Sequence, residues 1–298
     1  MSRYLLVSDV HLRSTVPSCI EATPEEWMNI QKQALDKVVE IAVNNNVCYV
    51  LCCGDLFHSE QTASFECIQL SQDWVNKLYK NSIAFYALAG NHDLPMHSSS
   101  NLYRSAIGVF LNSCNVNIIK YPSSKQFIGS NFDVELTSED CSDYEILCKH
   151  ILCIPKNDIP VDFMQCETPE SLLEKYPNRF ICLGDYHRNF QYNLDGRHVL
   201  NPGCLTKQAS DFEDYETGVY IFDTDTEEIK WCPVNIEQKF NHNGQEKKAL
   251  DESIENFVEH IKAENVTLDY VSSLQKEAEN HDKSIQDKIE SWIVEAGQ

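Results

Sequence analysis

Six short clusters in this chain carry side chains that can do chemistry: Asp9-Val10-His11, Gly54-Asp55, Gly90-Asn91-His92-Asp93, Lys149-His150, Asp185-Tyr186-His187 and Asn201-Pro202-Gly203. The first five each follow a run of β-formers, and each delivers Asp, Asn or His. Carboxylate, amide and imidazole donors together suit divalent ions of the Mn2+ type. Two such ions about 3.5–4 Å apart can activate water and clamp a phosphoryl group for in-line attack. One carboxylate has to bridge them, and Asp55 is the candidate. Asp9 and His11 stand two apart at a strand end, so both side chains can point the same way.

Taken singly, the clusters have plainer readings. An isolated Asp-x-His is more often a turn or a surface pair. His150 alone could be a core histidine bonded to a carbonyl, and His58 could merely cap a loop. Asn201-Pro202-Gly203 is a turn in any reading. What points to one site is the order of five clusters, each behind a strand, because ligands of open α/β sheets bind beyond the carboxyl ends of strands.

The elements that must position these residues follow from periodicity. Apolar runs at 4–8, 47–53 and 83–89 read as strands, and the continuous run at 47–53 as one buried on both faces. Thr23-Pro24-Glu25-Glu26 is a helix start: Thr caps, Pro takes the first position and Glu26 completes a capping box. Trp27, Ile30, Ala34, Val38 and Ile41 then recur at helical spacing. Further helices are predicted at 65–78, 102–110 and 172–176. Further strands are predicted at 116–119, 144–148, 180–183, 199–200, 218–222 and 229–234. The pattern predicts an α/β fold, a layered sandwich of two mixed β-sheets flanked by helices, with a βαβαβ half followed by a mostly antiparallel half. The main domain is expected over 1–237. An acidic helical appendage is expected over 238–298, where Ile254, Phe257, Val258 and Ile261 share one helical face and Ile285, Ile289, Trp292 and Ile293 another.

Composition sets the remaining bounds. The chain has 298 residues, and its 42% hydrophobic content supports a real core. Apolar runs are strand-sized, and the start of the chain shows no signal-peptide pattern, so a soluble, cytoplasmic protein without a membrane partner is expected. Thirteen cysteines without a CxxC pair argue against a zinc knuckle or a thioredoxin-like site and for buried thiols in a reducing compartment. The formal charge, 24 − 46 = −22, opposes a naked nucleic-acid binder. Arg13, Lys120, Lys125, Arg188 and Lys207 are the cations that could form a local basic patch.

Asp-x-His, Gly-Asp, Gly-Asn-His-Asp, a lone His and Gly-x-x-His in this order resemble the calcineurin-like metallophosphoesterases. Gly54-Asp55-Leu56-Phe57-His58 and Asn201-Pro202-Gly203-Cys204-Leu205-Thr206 are similar to the DNA-repair nuclease branch, the SbcD-like subunits. The protein-phosphatase pattern Gly-Asp-x-x-Asp-Arg-Gly is absent. The resemblance covers about residues 4–235. It implies that Asp9, His11, Asp55 and His187 hold one metal, and that Asp55, Asn91, His150 and Asp185 hold the other. It implies that His92 stabilises the phosphoryl charge or protonates the leaving oxygen, and that His58 assists catalysis. Tyr186 and Arg188, beside the site, are candidates to contact substrate. Two divalent ions are expected, Mn2+ first and Mg2+ second. DNA and an SbcC-type ATPase subunit are the expected partners, with a homodimer as a further expectation. The branch often has Gly-His-x-His where this chain has Gly184-Asp185-Tyr186-His187. A carboxylate there lowers the site's positive charge and shifts preference toward harder ions. The rival expectations are hydrolysis of a small phosphodiester or cyclic nucleotide, and an inactive metal-bearing scaffold for an ATPase.

Overall fold

The computed structural model describes residues 2–59, 63–113, 116–118, 126–158 and 166–241. The expected appendage lies, beyond residue 241, outside the described residues, as do Lys120 and Lys125.

Strands β1 (Arg3–Val7), β2 (Tyr49–Cys53), β3 (Ala84–Leu88) and β4 (Val116–Ile118) pair in parallel, and β10 (Gly218–Asp223) and β11 (Ile229–Pro233) add antiparallel beyond β1. The six-stranded order is β11-β10-β1-β2-β3-β4. A second sheet has the order β5-β6-β7-β9-β8, from β5 (Phe127–Gly129), β6 (Ile146–His150), β7 (Phe180–Gly184), β8 (Phe190–Leu194) and β9 (Arg197–Asn201). Three of its pairings are parallel and only β8–β9 is antiparallel. The expectation of a mostly antiparallel second half is therefore corrected: the antiparallel pairs are confined to one hairpin and to the two strands that return to the first sheet.

Alternation along the strands explains the continuous apolar runs. Leu5, Val7, Val50 and Cys52 face one core with helices α1 (Pro24–Asn44), α2 (Phe65–Lys80) and α3 (Ala106–Ser113), whereas Tyr4, Leu6, Leu51 and Cys53 face the second sheet. In the second sheet Ile146, Cys148, Phe180 and Cys182 point into the inter-sheet core. Leu147, Ile181 and Leu183 point to a third core, shared with Cys141 of α4 (Ser138–Cys141) and Leu172 and Leu173 of α5 (Pro169–Lys175). Every central strand is thus buried on both faces, as parallel sheets require. Cys53, Cys148 and Cys182 sit in the inter-sheet core as free thiols, in line with the expectation from spacing.

The helix start at Thr23 forms as expected: Thr23 accepts from the Glu26 N–H at 3.2 Å and Glu26 accepts from the Thr23 N–H at 2.7 Å. Two strands escape periodicity. β5 has only three residues, and β8 is an edge strand with mostly exposed side chains. The β8–β9 hairpin closes through Asp195-Gly196, with φ of 51° and 76°, the left-handed pair that a tight two-residue hairpin turn needs. No helix among the described residues is long and apolar enough to cross a membrane.

Candidate metal centre

Five strands end at one edge of the sandwich, and each hands on to a ligand-type residue. β1 leads to Asp9 and His11, β2 to Asp55, and β3 to Asn91 and His92, while β6 ends on His150 and β7 leads to Asp185 and His187. Because β1, β2 and β3 are parallel, and β6 and β7 likewise, their carboxyl ends fall together. The loops are also tied to one another. The Asp9 and His11 N–H groups donate to the carbonyls of Gly54 and Asp55 at 3.2 and 3.0 Å.

All seven ligand-type residues converge. His11 Nε2 lies 3.1 Å from His187 Nε2 and 3.5 Å from Asp55 Oδ2. His187 Nε2 lies 3.8 Å from Asp9 Oδ1. His150 Nε2 lies 2.9 Å from Asn91 Oδ1, 3.4 Å from Asp55 Oδ2 and 3.9 Å from Asp185 Oδ1. Asp55 faces both His11 and His150, the place a bridging carboxylate must occupy. Asp9–His11–His187 and Asp9–Asp55–His150 each offer donor atoms within 4.8 Å of one another.

The donor chemistry fits a pair of cations. Asp9 and Asp55 are buried, and among the described residues no Lys or Arg comes within ion-pair distance of either. Backbone N–H groups of Asp185 and His92 donate to Asp9 and Asp55, but two buried carboxylates beside only imidazoles for cationic side chains are costly unless a cation joins them. Burial pushes Asp9 up from the ordinary carboxylate range. Burial also pulls Asp55 upward, but His150 and His92 outweigh it and hold Asp55 well below that range. Burial lowers His11. At His150 burial is outweighed by Asp55, which raises the imidazole.

Orientation is fixed through carbonyl oxygens, which only accept. His150 Nδ1 lies 2.8 Å from the Cys53 oxygen and so carries the proton, which leaves Nε2 to face the ligand cluster. His92 Nδ1 lies 3.0 Å from the His58 oxygen, with the same consequence for its Nε2. His58 packs against both His11 and His92, with ring centroids 5.5 and 5.7 Å apart. Burial, then Arg13, pushes His58 down to about 3.

Four of the seven positions carry backbone strain. Asp9, His11, Asp55 and Asp185 have φ of 49°, 47°, 52° and 95°, in the left-handed region that costs a non-glycine residue about 1–2 kcal/mol. Gly90 is required for a different reason: a Cβ there would stand 2.1 Å from Asp55 Oδ1.

Two positioning residues went unassigned in the sequence. Buried Asp93 accepts the N–H groups of Leu56, Phe57 and Gly90 at 3.2, 3.0 and 3.1 Å, strapping the Asp55 loop to the Asn91 loop. Its only sequence signal is its place at the end of Gly-Asn-His-Asp. Burial, then Asp55, pushes the Asp93 carboxyl up to about 7 against these three donors. Asn201 is the second. Its Nδ2 donates to the carbonyls of Tyr186 and Arg188 at 2.6 and 2.8 Å, while the Cys204 N–H donates to the His187 carbonyl at 3.0 Å. A Cβ on Gly203, whose φ is 68°, would stand 2.5 Å from the His187 carbonyl oxygen. The sixth cluster therefore grips the backbone on both sides of His187. Asn201→Ala is expected to lower stability by about 1–3 kcal/mol and to weaken divalent-ion binding in calorimetric titration. Full ion affinity in that variant would detach the turn from the centre.

Tyr186 and Arg188 have other partners. Tyr186 is half-buried, its ring 6.2 Å from that of Phe190. Arg188 pairs with Asp211 at 3.0 Å and lies 5.2 Å from the centre of the Phe212 ring, which is in turn 6.3 Å from His187. Phe132, unnoticed in the sequence, sets its half-exposed ring 6.2 Å from that of His150.

Two mixed sheets between helices, with carboxylates and imidazoles gathered at their carboxyl edge, form a candidate metal centre of the kind metal-dependent hydrolases use. The calcineurin-like phosphoesterase family matches residues 2–187, and the chain belongs to that family of metal-dependent phosphoesterases. A search of curated proteins found no match. Among solved structures the chain is similar to a protein of Thermus thermophilus, at 14% identity and TM-score 0.49 over 78% of this chain and 99% of that one. It is also similar to a hypothetical protein from Pyrococcus horikoshii, at 11% identity and TM-score 0.43 over 85% and 94%. A structure described as a novel archaeal phosphodiesterase is similar at 16% identity and TM-score 0.37 over 78% and 99%.

Proposed function

We propose that this chain is a two-metal phosphodiesterase acting on DNA, the nuclease subunit beside an SbcC-type ATPase. The observation that carries the phosphodiesterase reading is the gathering of six further ligand-type side chains around Asp55, with His92 alongside. Asp9, His11 and His187 would hold one ion, Asn91, His150 and Asp185 the other, and Asp55 both. When bound, the ions, with Mn2+ the first choice, supply Lewis acidity to a phosphoryl group and lower the pKa of water. The chain's own residues do the rest. Asp93 and Asn201 hold the ligand loops in place. His92, its Nδ1–H fixed on the His58 carbonyl, would take a second proton at Nε2 and, as the imidazolium, give that proton to the leaving oxygen, returning to the neutral ring, worth about 10²–10⁴-fold in rate. DNA is supported by His58 and by the Asn201-Pro202-Gly203 turn, which resemble motifs of the nuclease branch.

The test offers purified protein and Mn2+ linear duplex DNA, single-stranded DNA and a chromogenic phosphodiester, with His92→Ala as control. DNA degradation that His92→Ala loses supports the reading. Turnover of the small ester alone supports a second reading, hydrolysis of a small phosphodiester. The net charge of −22 and the pairing of Arg188 with Asp211 favour that alternative. No turnover of any substrate, with or without the ATPase, overturns both.

Asp185 is proposed as a true ligand that favours Mn2+. Its backbone N–H donates to both Asp9 oxygens at 3.1 and 3.2 Å, and Asp185→Ala keeps that contact while removing the carboxylate. The variant is expected to bind one Mn2+ at least about tenfold more weakly. Unchanged metal content and unchanged hydrolysis would remove Asp185 from the ligand set.

A further inference from the structure

We propose that His11, His58 and His92 form a separate cation site, made of imidazoles alone, that selects Zn2+ over Mn2+ and makes Zn2+ an inhibitor of the two-ion centre. The inhibitory part rests on the assignment of His11 and His92 given above. One ring nitrogen from each histidine lies within 4.8 Å of the other two. The three ring centroids are 5.0, 5.5 and 5.7 Å apart.

The set differs from the other two groups in its chemistry. Each of those includes a carboxylate, whereas this one has none. Nitrogen donors favour Zn2+ or Cu2+, and carboxylate oxygens favour Mn2+ and Mg2+. Nδ1 of His11 and Nδ1 of His58 are buried without a hydrogen-bond partner among the described residues, a pair of atoms that hydrogen bonding within the fold does not explain. The third ring is already oriented, since His92 Nδ1 is held by the His58 carbonyl.

The scaffold is fixed as well. The three histidines leave from β1, β2 and β3, and the His58 N–H donates to the Leu12 carbonyl at 3.2 Å. A tetrahedral Zn2+ with Zn–N near 2.0–2.1 Å sets its nitrogens roughly 3.3 Å apart. The nitrogens now lie within 4.8 Å of one another, and the half-buried His58 ring is the one that would turn to close that spacing. Three protein ligands leave a fourth position open. An ion there engages His92, the proposed proton donor, and draws on His11, which also belongs to the Asp9–His11–His187 group.

Calorimetric titration of the metal-free full chain with Zn2+, and separately with Mn2+, tests this in wild type, His58→Ala and His58→Gln. His58 belongs to neither carboxylate group. The tightest Zn2+ binding is expected to weaken at least about tenfold in both variants, while Mn2+ affinity changes less than twofold, which also certifies that the variants fold. Nitrogen couplings in the electron paramagnetic resonance of bound Cu2+ should fall from three imidazoles to two. Equal Zn2+ affinity in all three proteins, or Zn2+ and Mn2+ weakening together, overturns the site. The two-ion reading fails on a different result, Mn2+ affinity unaffected by Asp55→Ala.

Discussion

Asp55→Ala is expected to strip the centre of both divalent ions and to lower phosphoester turnover by about 10³-fold or more, because it removes a carboxylate whose Oδ2 lies 3.5 Å from His11 Nε2 and 3.4 Å from His150 Nε2. Metal content by elemental analysis and turnover of a chromogenic phosphodiester measure the two effects. The fold should survive. His150 and His92 hold Asp55 well below the ordinary carboxylate range in the metal-free wild type, so its ionised form stabilises the fold at neutral pH. The metal-free variant should therefore melt lower than the metal-free wild type. A further cost is the His92 N–H that Asp55 Oδ1 now accepts at 3.0 Å. Retention of two tightly held ions in Asp55→Ala would end its assignment as the bridge.

Asp93→Ala carries the largest expected effect on stability. It leaves three backbone N–H groups buried without an acceptor. Each such orphan costs about 1–3 kcal/mol, with some relief from water or loop shifts, so a loss of about 3–5 kcal/mol is expected in denaturant unfolding. Asp93→Asn keeps one acceptor oxygen and should lose about half as much. Divalent affinity should fall with stability, since the strap joins the Asp55 and Asn91 loops. A cost below about 1 kcal/mol for Asp93→Ala would show that these loops hold their shape without it.

What the sequence makes legible is what periodicity and caps encode. Strands β1, β2 and β3, with their double-sided apolar runs, and the capping box at Thr23 can be read directly, because each is a local pattern. The candidate ligand set is legible for the same reason, as donors immediately after strands. β5 is too short to show a period. β8 is an edge strand that buries little, although Asp195-Gly196 announces its hairpin. The direction of the second sheet is not local information, because it depends on which distant strands pair. The same holds for Asp93 and Asn201. Their roles consist of hydrogen bonds to backbone groups of other loops, and a backbone N–H or carbonyl leaves no trace in residue identity. His150 sits between these cases. Its apolar run stops at Cys148, but the strand continues to His150, so this candidate ligand sits on a strand, not in a loop.

The left-handed backbone at Asp9, His11, Asp55 and Asp185 bears on how such a chain evolves. Glycine would relax each position, so a population bred only for heat tolerance would be drawn to glycine at all four, gaining durability at every step while discarding a donor atom. Persistence of Asp and His there is paid for generation after generation, and lineages released from the need for catalysis should lose these four residues before they lose the core.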